Sequence, residues 1–453
     1  MLTVTTSLGS ISLVPLAIPL FLESIFNNLI NTANTAVLSG YSDEAVVATG
    51  TVSIICSLFL TFFSSIAIGS SVIISNEIGA DELEKAERAN GSSIVLCGLL
   101  GALVTMILLC GAPLIARWMN LTGEVYDLAV TYLRTLSFGQ FFLAIQTVML
   151  HIMRCYGYPK AAVITGIIKN LCNLACSYYA VYHATHPLLS GVSGVALGTV
   201  ASQLLGLLIV CGMFMRYKIR VRREKTIPGL FGQMRRILSI GIPACVSGAS
   251  FTISQIITNA FVVLIGLEAA SAKVYFASIL GYTHLFSGSV GNANALLVGR
   301  LFGAQRYEHA EQLNRMLVRY TILGNLSVSL AVFLLRRPIL SLFTDSTVIV
   351  QMAFGIFLVD LVIEQARAIS QIYEYALRAT GDVTPTMIVT LISGWVFSVG
   401  LAYVLSIPCG MGLIGCWIGL AIDESIRTIY TFWRWKARKW IPKESRLTAD
   451  EAR

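Results

Sequence analysis

Long apolar runs, broken by short polar and glycine-bearing segments, recur along the whole chain. The runs fall at 11–38, 46–75, 91–115, 125–152, 160–184, 191–215, 236–265, 270–299, 313–335, 347–376, 384–406 and 412–434. Each is as long as the roughly 20 apolar residues that a helix needs to cross a bilayer. Several are longer, which predicts tilt, kinks or extension beyond the hydrocarbon. Gly40-Tyr41-Ser42-Asp43 separates the first two runs, Gly157-Tyr158-Pro159 opens the fifth and Gly381-Asp382 precedes the eleventh. Such groups end one helix and start the next. Pro15 and Pro19 lie near the start of the first run and Pro243 holds a similar place in the seventh. A proline inside a span frees a carbonyl and bends the helix, either as a flexing point or as a fixed kink.

Composition narrows the class. Of 453 residues, 56% are hydrophobic and 12% charged, too few charges to cover the surface of a soluble protein of this length. A soluble enzyme, a disordered regulator and a disulfide-rich secreted module are excluded. The ten cysteines include Cys56, Cys97, Cys172 and Cys211 in apolar runs, where thiols act as small hydrophobes. Cys172 and Cys176 are one helical turn apart, but no closed metal-ligand set accompanies them. No signal-peptide pattern opens the chain, so the first run reads as a retained helix. The net charge of +8 matters less than its placement. Most Lys and Arg fall in 76–90, 153–160, 216–236, 300–315, 377–383 and the tail from 434, while the opposite loops hold only Arg117, Lys273, Arg336 and Arg337. This bias predicts that both termini are cytoplasmic. The eight basic residues of 216–236 read as a topogenic loop beside anionic membrane lipid, with no nucleic acid partner.

The chain also resembles itself. At an offset of 224, Pro19 meets Pro243, Ile78-Gly79-Ala80 meets Phe302-Gly303-Ala304, and Ala86, Glu87 and Asn90 meet Ala310, Glu311 and Asn314. Arg154 and Gly157 meet Arg378 and Gly381, and an offset of 221 then brings Gly191, Gly194 and Gly198 onto Gly412, Gly415 and Gly419. An even number of spans per half makes the repeat parallel, about an axis along the membrane normal. The predicted fold is therefore an all-α polytopic membrane protein with twelve transmembrane helices in two pseudo-symmetric six-helix lobes around a central cleft. Residues 1–215 form the first lobe, 216–236 a basic cytoplasmic linker, 237–434 the second lobe and 435–453 a cytoplasmic tail. The symmetry is internal, so a monomer suffices.

Polar side chains at membrane depth are costly and mark function or helix contact. Glu23, Asn27, Asn31 and Asn34 share one face of the first helix, bordered by Thr35. The stripe is either interhelical hydrogen bonding or a hydrated path on which Glu23 exchanges a cation. Asp360, Glu364, Arg367 and Glu374 lie on the tenth span. Two adjacent carboxylates beside one arginine either share a proton, bind a cation or form a compensated structural group. Glu374 with Arg378, and Asp423 with Arg427 beside Glu424, read as local i,i+4 ion pairs. Lys169 stands in the fifth span beside Asn170. Gln146, Asn173, Gln203, Gln255, Asn259 and Arg367 are candidates for contact with a substrate in the cleft. Phe59, Tyr178, Phe276, Tyr282 and Trp395 are stacking candidates for a flat cation, or ordinary core. No phosphate-binding Gly-rich loop, catalytic triad or zinc-ligand pair appears, so neither a nucleotide nor a cofactor is expected.

At this point the chain resembles the multidrug and toxic compound extrusion family of secondary transporters over roughly residues 11–434. The matches are Pro19 through Thr35 with Gly40, Ile78-Gly79-Ala80 with Ala86, Val298-Gly299-Arg300 with Gly303-Ala304, and Leu377-Arg378-Ala379-Thr380-Gly381-Asp382. The resemblance implies two lobes, alternating access and exchange of substrate for H⁺ or Na⁺. Many bacterial members carry an aspartate late in the first helix, where this chain has Asn34 before Thr35. One branch carries a glutamate in the seventh helix, at the place of Thr252. Glu23 and the pair Asp360 and Glu364 are the available replacements, with Asn27, Asn31 and Asn34 completing the cation-coupling set. The expectation is an H⁺- or Na⁺-coupled antiporter of small organic, cationic or amphipathic compounds in a prokaryotic plasma membrane. The alternatives are a lipid-linked precursor flippase, a narrow-specificity metabolite exporter and a transport-inactive membrane scaffold.

Overall fold

The computed structural model describes residues 3–6, 9–39, 43–119, 121–184, 186, 189–341, 344 and 346–442; side chains are described over the same ranges except 3–12, 31, 32, 34–36, 38, 39, 43–47, 267 and 282. Two short strands come first, β1 (Thr3–Thr6) and β2 (Gly9–Ser12). The helices follow: α1 (Leu13–Ser39), α2 (Asp43–Gly79), α3 (Leu83–Trp118), α4 (Gly123–Cys155), α5 (Pro159–Tyr182), α6 (Gly191–Arg216) and α7 (Ile227–Ile265). Then come α8 (Leu267–Gly303), α9 (Tyr307–Leu334), the short α10 (Arg336–Leu340), α11 (Thr347–Ala379), α12 (Thr384–Ser393), α13 (Ala402–Ser406) and α14 (Leu413–Lys436).

Among the described residues ten helical segments are long and apolar enough to cross a membrane. The predicted eighth and twelfth spans form helices, α8 and α14, that fall outside this group. Serines, glycines and His284 dilute α8, while Asp423, Glu424 and Arg427 interrupt α14. Local details depart from the sequence pattern. The strands precede α1 in a chain expected to be all helical. The predicted inner segment 76–90 is almost wholly helical, leaving a short turn between α2 and α3, and α7 begins inside the predicted linker. The predicted eleventh span is one rod broken by a π-helical stretch, Gly394–Leu401, between α12 and α13. Each wider turn frees a carbonyl from the regular ladder; there Thr258 donates to the Ser398 carbonyl at 3.4 Å.

The chain divides into two compact units, residues 7–242 and residues 243–453 together with 1–6. The first unit packs Phe63, Leu108, Leu133 and Val195 into its core, and the second packs Phe276, Phe357, Ile363 and Trp417. The internal repeat reaches the backbone. Left-handed residues recur in register: Asp81 (φ 63°) with Gln305 (φ 57°), Gly157 (φ 89°) with Gly381 (φ 84°), and Gly191 with Gly412 (both φ 60°). The aligned glycines do matching work. A Cβ at Gly198 would lie 2.6 Å from the Cys176 Cβ of α5, and one at Gly419 would lie 2.8 Å from the Phe397 carbonyl oxygen. Helices that meet this closely need a missing side chain at the crossing. In both units a glutamate of the third helix also receives an arginine from beyond the sixth. Glu87 pairs with Arg222 at 2.7 Å, and Glu311 with Arg438 at 2.6 Å.

Candidate functional site

In the first unit the polar face of α1 meets α4 and α5. Glu23 accepts from Arg154 Nη2, at 2.9 Å to each carboxylate oxygen. Arg154 is the last-turn cation of α4, 131 residues away in sequence. Both side chains are mostly buried, so the pair is a charge-assisted contact with little screening. One turn along α1, the Asn27 side-chain oxygen accepts from Asn170 at 2.7 Å. Asn173, a further turn along α5, donates to the Thr199 hydroxyl at 2.9 Å. Lys169 lies within the electrostatic reach of Glu23. His151 joins the group, 3.4 Å from Arg154 and 3.2 Å from the Ser71 hydroxyl. The side chains of Asn31, Asn34 and Thr35, which continue the stripe, lie outside the described residues.

The second unit holds a larger cluster on α11 and α14. Arg367 donates to Glu364 at 2.6 Å and to Glu424 at 3.2 Å. Arg427 reaches the same Glu424 oxygen at 2.5 Å and lies 3.6 Å from Asp423. The Ser393 hydroxyl donates to Asp423 at 2.5 Å, and Asn325 donates to the Glu364 carbonyl and carboxylate. Asp360 sits one turn before Glu364 and engages the Trp417 indole. Asp360, Glu364, Asp423 and Glu424 are all buried. Four carboxylates thus face two guanidinium groups. Fully ionised, the cluster would carry two uncompensated negative charges in a low-dielectric interior, a costly state. Protons or a bound cation would balance it. Among the described residues no group of three or more His, Cys, Asp or Glu side chains forms a metal-holding set.

The remaining predicted residues lie in varied surroundings. Gln146 is buried where α4 crosses α6, and a Cβ at Gly206 would lie 2.6 Å from its amide nitrogen. Gln255 is half-buried on α7 and Asn259 is exposed. Thr252 turns its hydroxyl back to the Gly248 carbonyl. Phe276 belongs to the core with Phe357 and Trp417, Phe59 packs partly buried against the other core, and Tyr178 is exposed. Trp395 donates to the Ser250 hydroxyl, while the Tyr282 side chain lies outside the described residues. Glu374 with Arg378 forms the expected local pair.

Two partnerships of the candidate residues were invisible in the sequence pattern. Arg154 reads as a loop cation, and only the packing of α1 on α5, beside the last turn of α4, brings it to Glu23. The charges of α11 and α14 read as separate groups, and Arg367 joins them across 57 residues. A usable signal existed for Arg154: its repeat partner Arg378 also holds a glutamate.

Residues 19–179 and 243–404 match the family model described as MatE. The two matched blocks begin at Pro19 and Pro243, the register of the internal repeat. The chain is 28% identical over 434 residues to an uncharacterized transporter, YisQ, of Bacillus subtilis, covering 95% of each chain. It is 25% identical over 447 residues to the probable multidrug resistance protein NorM of Thermotoga maritima, covering 97% of this chain and 95% of the relative. Its fold is similar to that of a MOP superfamily transporter from Pyrococcus furiosus, with a TM-score of 0.84, 22% identity and coverage of 94% and 95%. It is also similar to a MATE crystal structure in a bent conformation, with a TM-score of 0.86, 21% identity and 94% coverage of each chain.

Proposed function

Because the chain belongs to the MatE family of multidrug and toxic compound extrusion transporters, we propose that it is a secondary active exporter. It exchanges H⁺ or Na⁺ for small organic, cationic or amphipathic compounds by alternating access. Family membership makes it a membrane transporter and not an enzyme. On this reading α8 and α14 cross the bilayer with the ten more apolar segments. Twelve spans then form two pseudo-symmetric lobes, 1–215 and 237–434, joined by 216–236 and followed by the tail 435–453. Both termini face the cytoplasm of a prokaryotic cell, and the placement of the basic segments supports that orientation.

The observation that carries the proposal is the imbalance of four buried carboxylates against two arginines in the second unit. A cation taken up at Asp360 and Glu364 relieves that imbalance. The loaded and unloaded states therefore favour different conformations, which is what coupling needs. Glu23 and Asn27, with Asn31 and Asn34 further along α1, offer a second coupling route in the first unit. Substrate contact falls to Gln146, Asn173, Gln255, Asn259 and Arg367, of which Asn259 is the most exposed.

The test is flux of fluorescent organic cations in proteoliposomes under imposed H⁺ or Na⁺ gradients. Wild type should move at least one compound under one gradient. Asp360→Asn/Glu364→Gln should abolish that dependence, and E23Q should weaken it. Wild-type gradient coupling in the double variant would remove the second-unit cluster from the mechanism. Absence of flux under both gradients would turn the search to a single metabolite or a lipid-linked precursor.

A further inference from the structure

The repeat places three residues at matching positions in each unit, and the two sets differ. Met149 corresponds to Tyr373 at the offset of 224, while Cys211 and Phe214 correspond to Phe432 and Trp435 at the offset of 221. In the second unit the three aromatics close on one another. Tyr373 lies 5.6 Å from Phe432 and 6.2 Å from Trp435, ring centre to ring centre. Trp440, beyond α14, stacks on Trp435 at 4.2 Å. In the first unit Met149, Cys211 and Phe214 line an open groove of about 560 Å³. Its walls are mostly apolar and its remaining lining includes Met215, Lys218 and Arg220.

The wall of this groove is fixed by the segment that follows α6. The Arg222 amide donates to the Glu87 carbonyl at 3.0 Å, and Asn90 donates to the Arg220 carbonyl at 3.0 Å. A Cβ at Gly91 would collide with the Arg222 carbonyl oxygen, so α3 and the segment touch backbone to backbone. The cations here divide into two groups. Arg222 pairs with Glu84 and Glu87, Arg236 with Glu77, and Arg88 with Glu84 and Glu224. Among the described residues no carboxylate pairs with Lys218 or Arg220. Both are exposed, and both line the groove.

We infer that this groove binds one acyl chain of an anionic phospholipid, whose phosphate is held by Lys218 and Arg220. An apolar slot with unpaired cations, at the end of a membrane helix, matches the two-part chemistry of such a lipid. The second unit fills the same place with its own aromatics and needs no lipid. The inference rests on the membrane placement proposed above only for the leaflet that supplies the lipid, and its test requires no transport.

Native mass spectrometry of the detergent-solubilised full chain would measure binding of dioleoyl phosphatidylglycerol and dioleoyl phosphatidylcholine. Wild type should prefer phosphatidylglycerol by at least about tenfold, and K218Q/R220Q should lose roughly thirty-fold in affinity for it. Filling the groove with the second unit's aromatics, as M149Y/C211F/F214W, should reduce binding of both lipids. Equal binding of the two lipids to wild type overturns the proposal. So does an unchanged preference in K218Q/R220Q, a surface variant that leaves the core intact. Glycerol phosphate competing as well as the intact lipid would also overturn it, because the groove would then play no part.

Discussion

Replacing Arg367 with methionine tests whether the second-unit cluster is electrostatically interlocked. The substitution keeps an unbranched apolar stem and removes the guanidinium charge. Glu364 then loses its 2.6 Å charged partner and keeps two neutral ones, the Asn325 amide at 3.4 Å and the Thr283 hydroxyl. Glu424 loses one donor at 3.2 Å but keeps Arg427 at 2.5 Å. The cost therefore falls mainly on Glu364, whose side chain has 0% exposure. Removing one partner of a buried pair costs about 3–5 kcal/mol. In a unit of this size about 1 kcal/mol moves Tm by roughly 2–4 °C, so R367M should lower it by roughly 6–20 °C. Neutralising the stranded carboxylate should repair the damage, and R367M/E364Q should regain at least half of the loss. Intrinsic tryptophan fluorescence during thermal unfolding in detergent provides the readout. A drop below about 3 °C in R367M, or a double variant no more stable than the single, would refute the interlock and the charge imbalance built on it.

The glycine contacts and the membrane orientation give sharper tests. G419A places a methyl 2.8 Å from the Phe397 carbonyl oxygen and should cost about 1–3 kcal/mol. G166A, in a helix with nothing within 4 Å, should be neutral or gain up to about 1 kcal/mol; the same thermal unfolding experiment compares them. For orientation, W118C alters a side chain 80% exposed at the C-terminal end of α3, and K225C lies in the basic segment before α7. In a background without native cysteines, a membrane-impermeant maleimide applied to intact cells should label the first and spare the second. The reverse pattern would invert the proposed topology.

Much of the architecture follows from the sequence because the bilayer leaves few choices. Apolar runs must become helices to satisfy their own backbone groups, and the predicted runs are helical here apart from a residue or two at some ends, residues 11 and 12 of β2 among them, and the π-helical interruption of the eleventh. The repeat was legible because close helix crossings and left-handed turns demand particular residues. Gly157 with Gly381 and Gly191 with Gly412 therefore recur in sequence and in φ. Local ion pairs such as Glu374 with Arg378 were legible because i,i+4 spacing fixes them. Tertiary structure decided the rest. Whether Glu23 meets water or an arginine depends on where α1 lies relative to the last turn of α4, and no local spacing encodes a partner 131 residues away. The joining of Glu364 to Glu424 through Arg367 likewise depends on α11 lying against α14. The difference between an open groove at Met149, Cys211 and Phe214 and a filled one at Tyr373, Phe432 and Trp435 depends on helix packing in each unit. Periodicity reports which face of a helix is polar; only the packed helices determine which charges share that face.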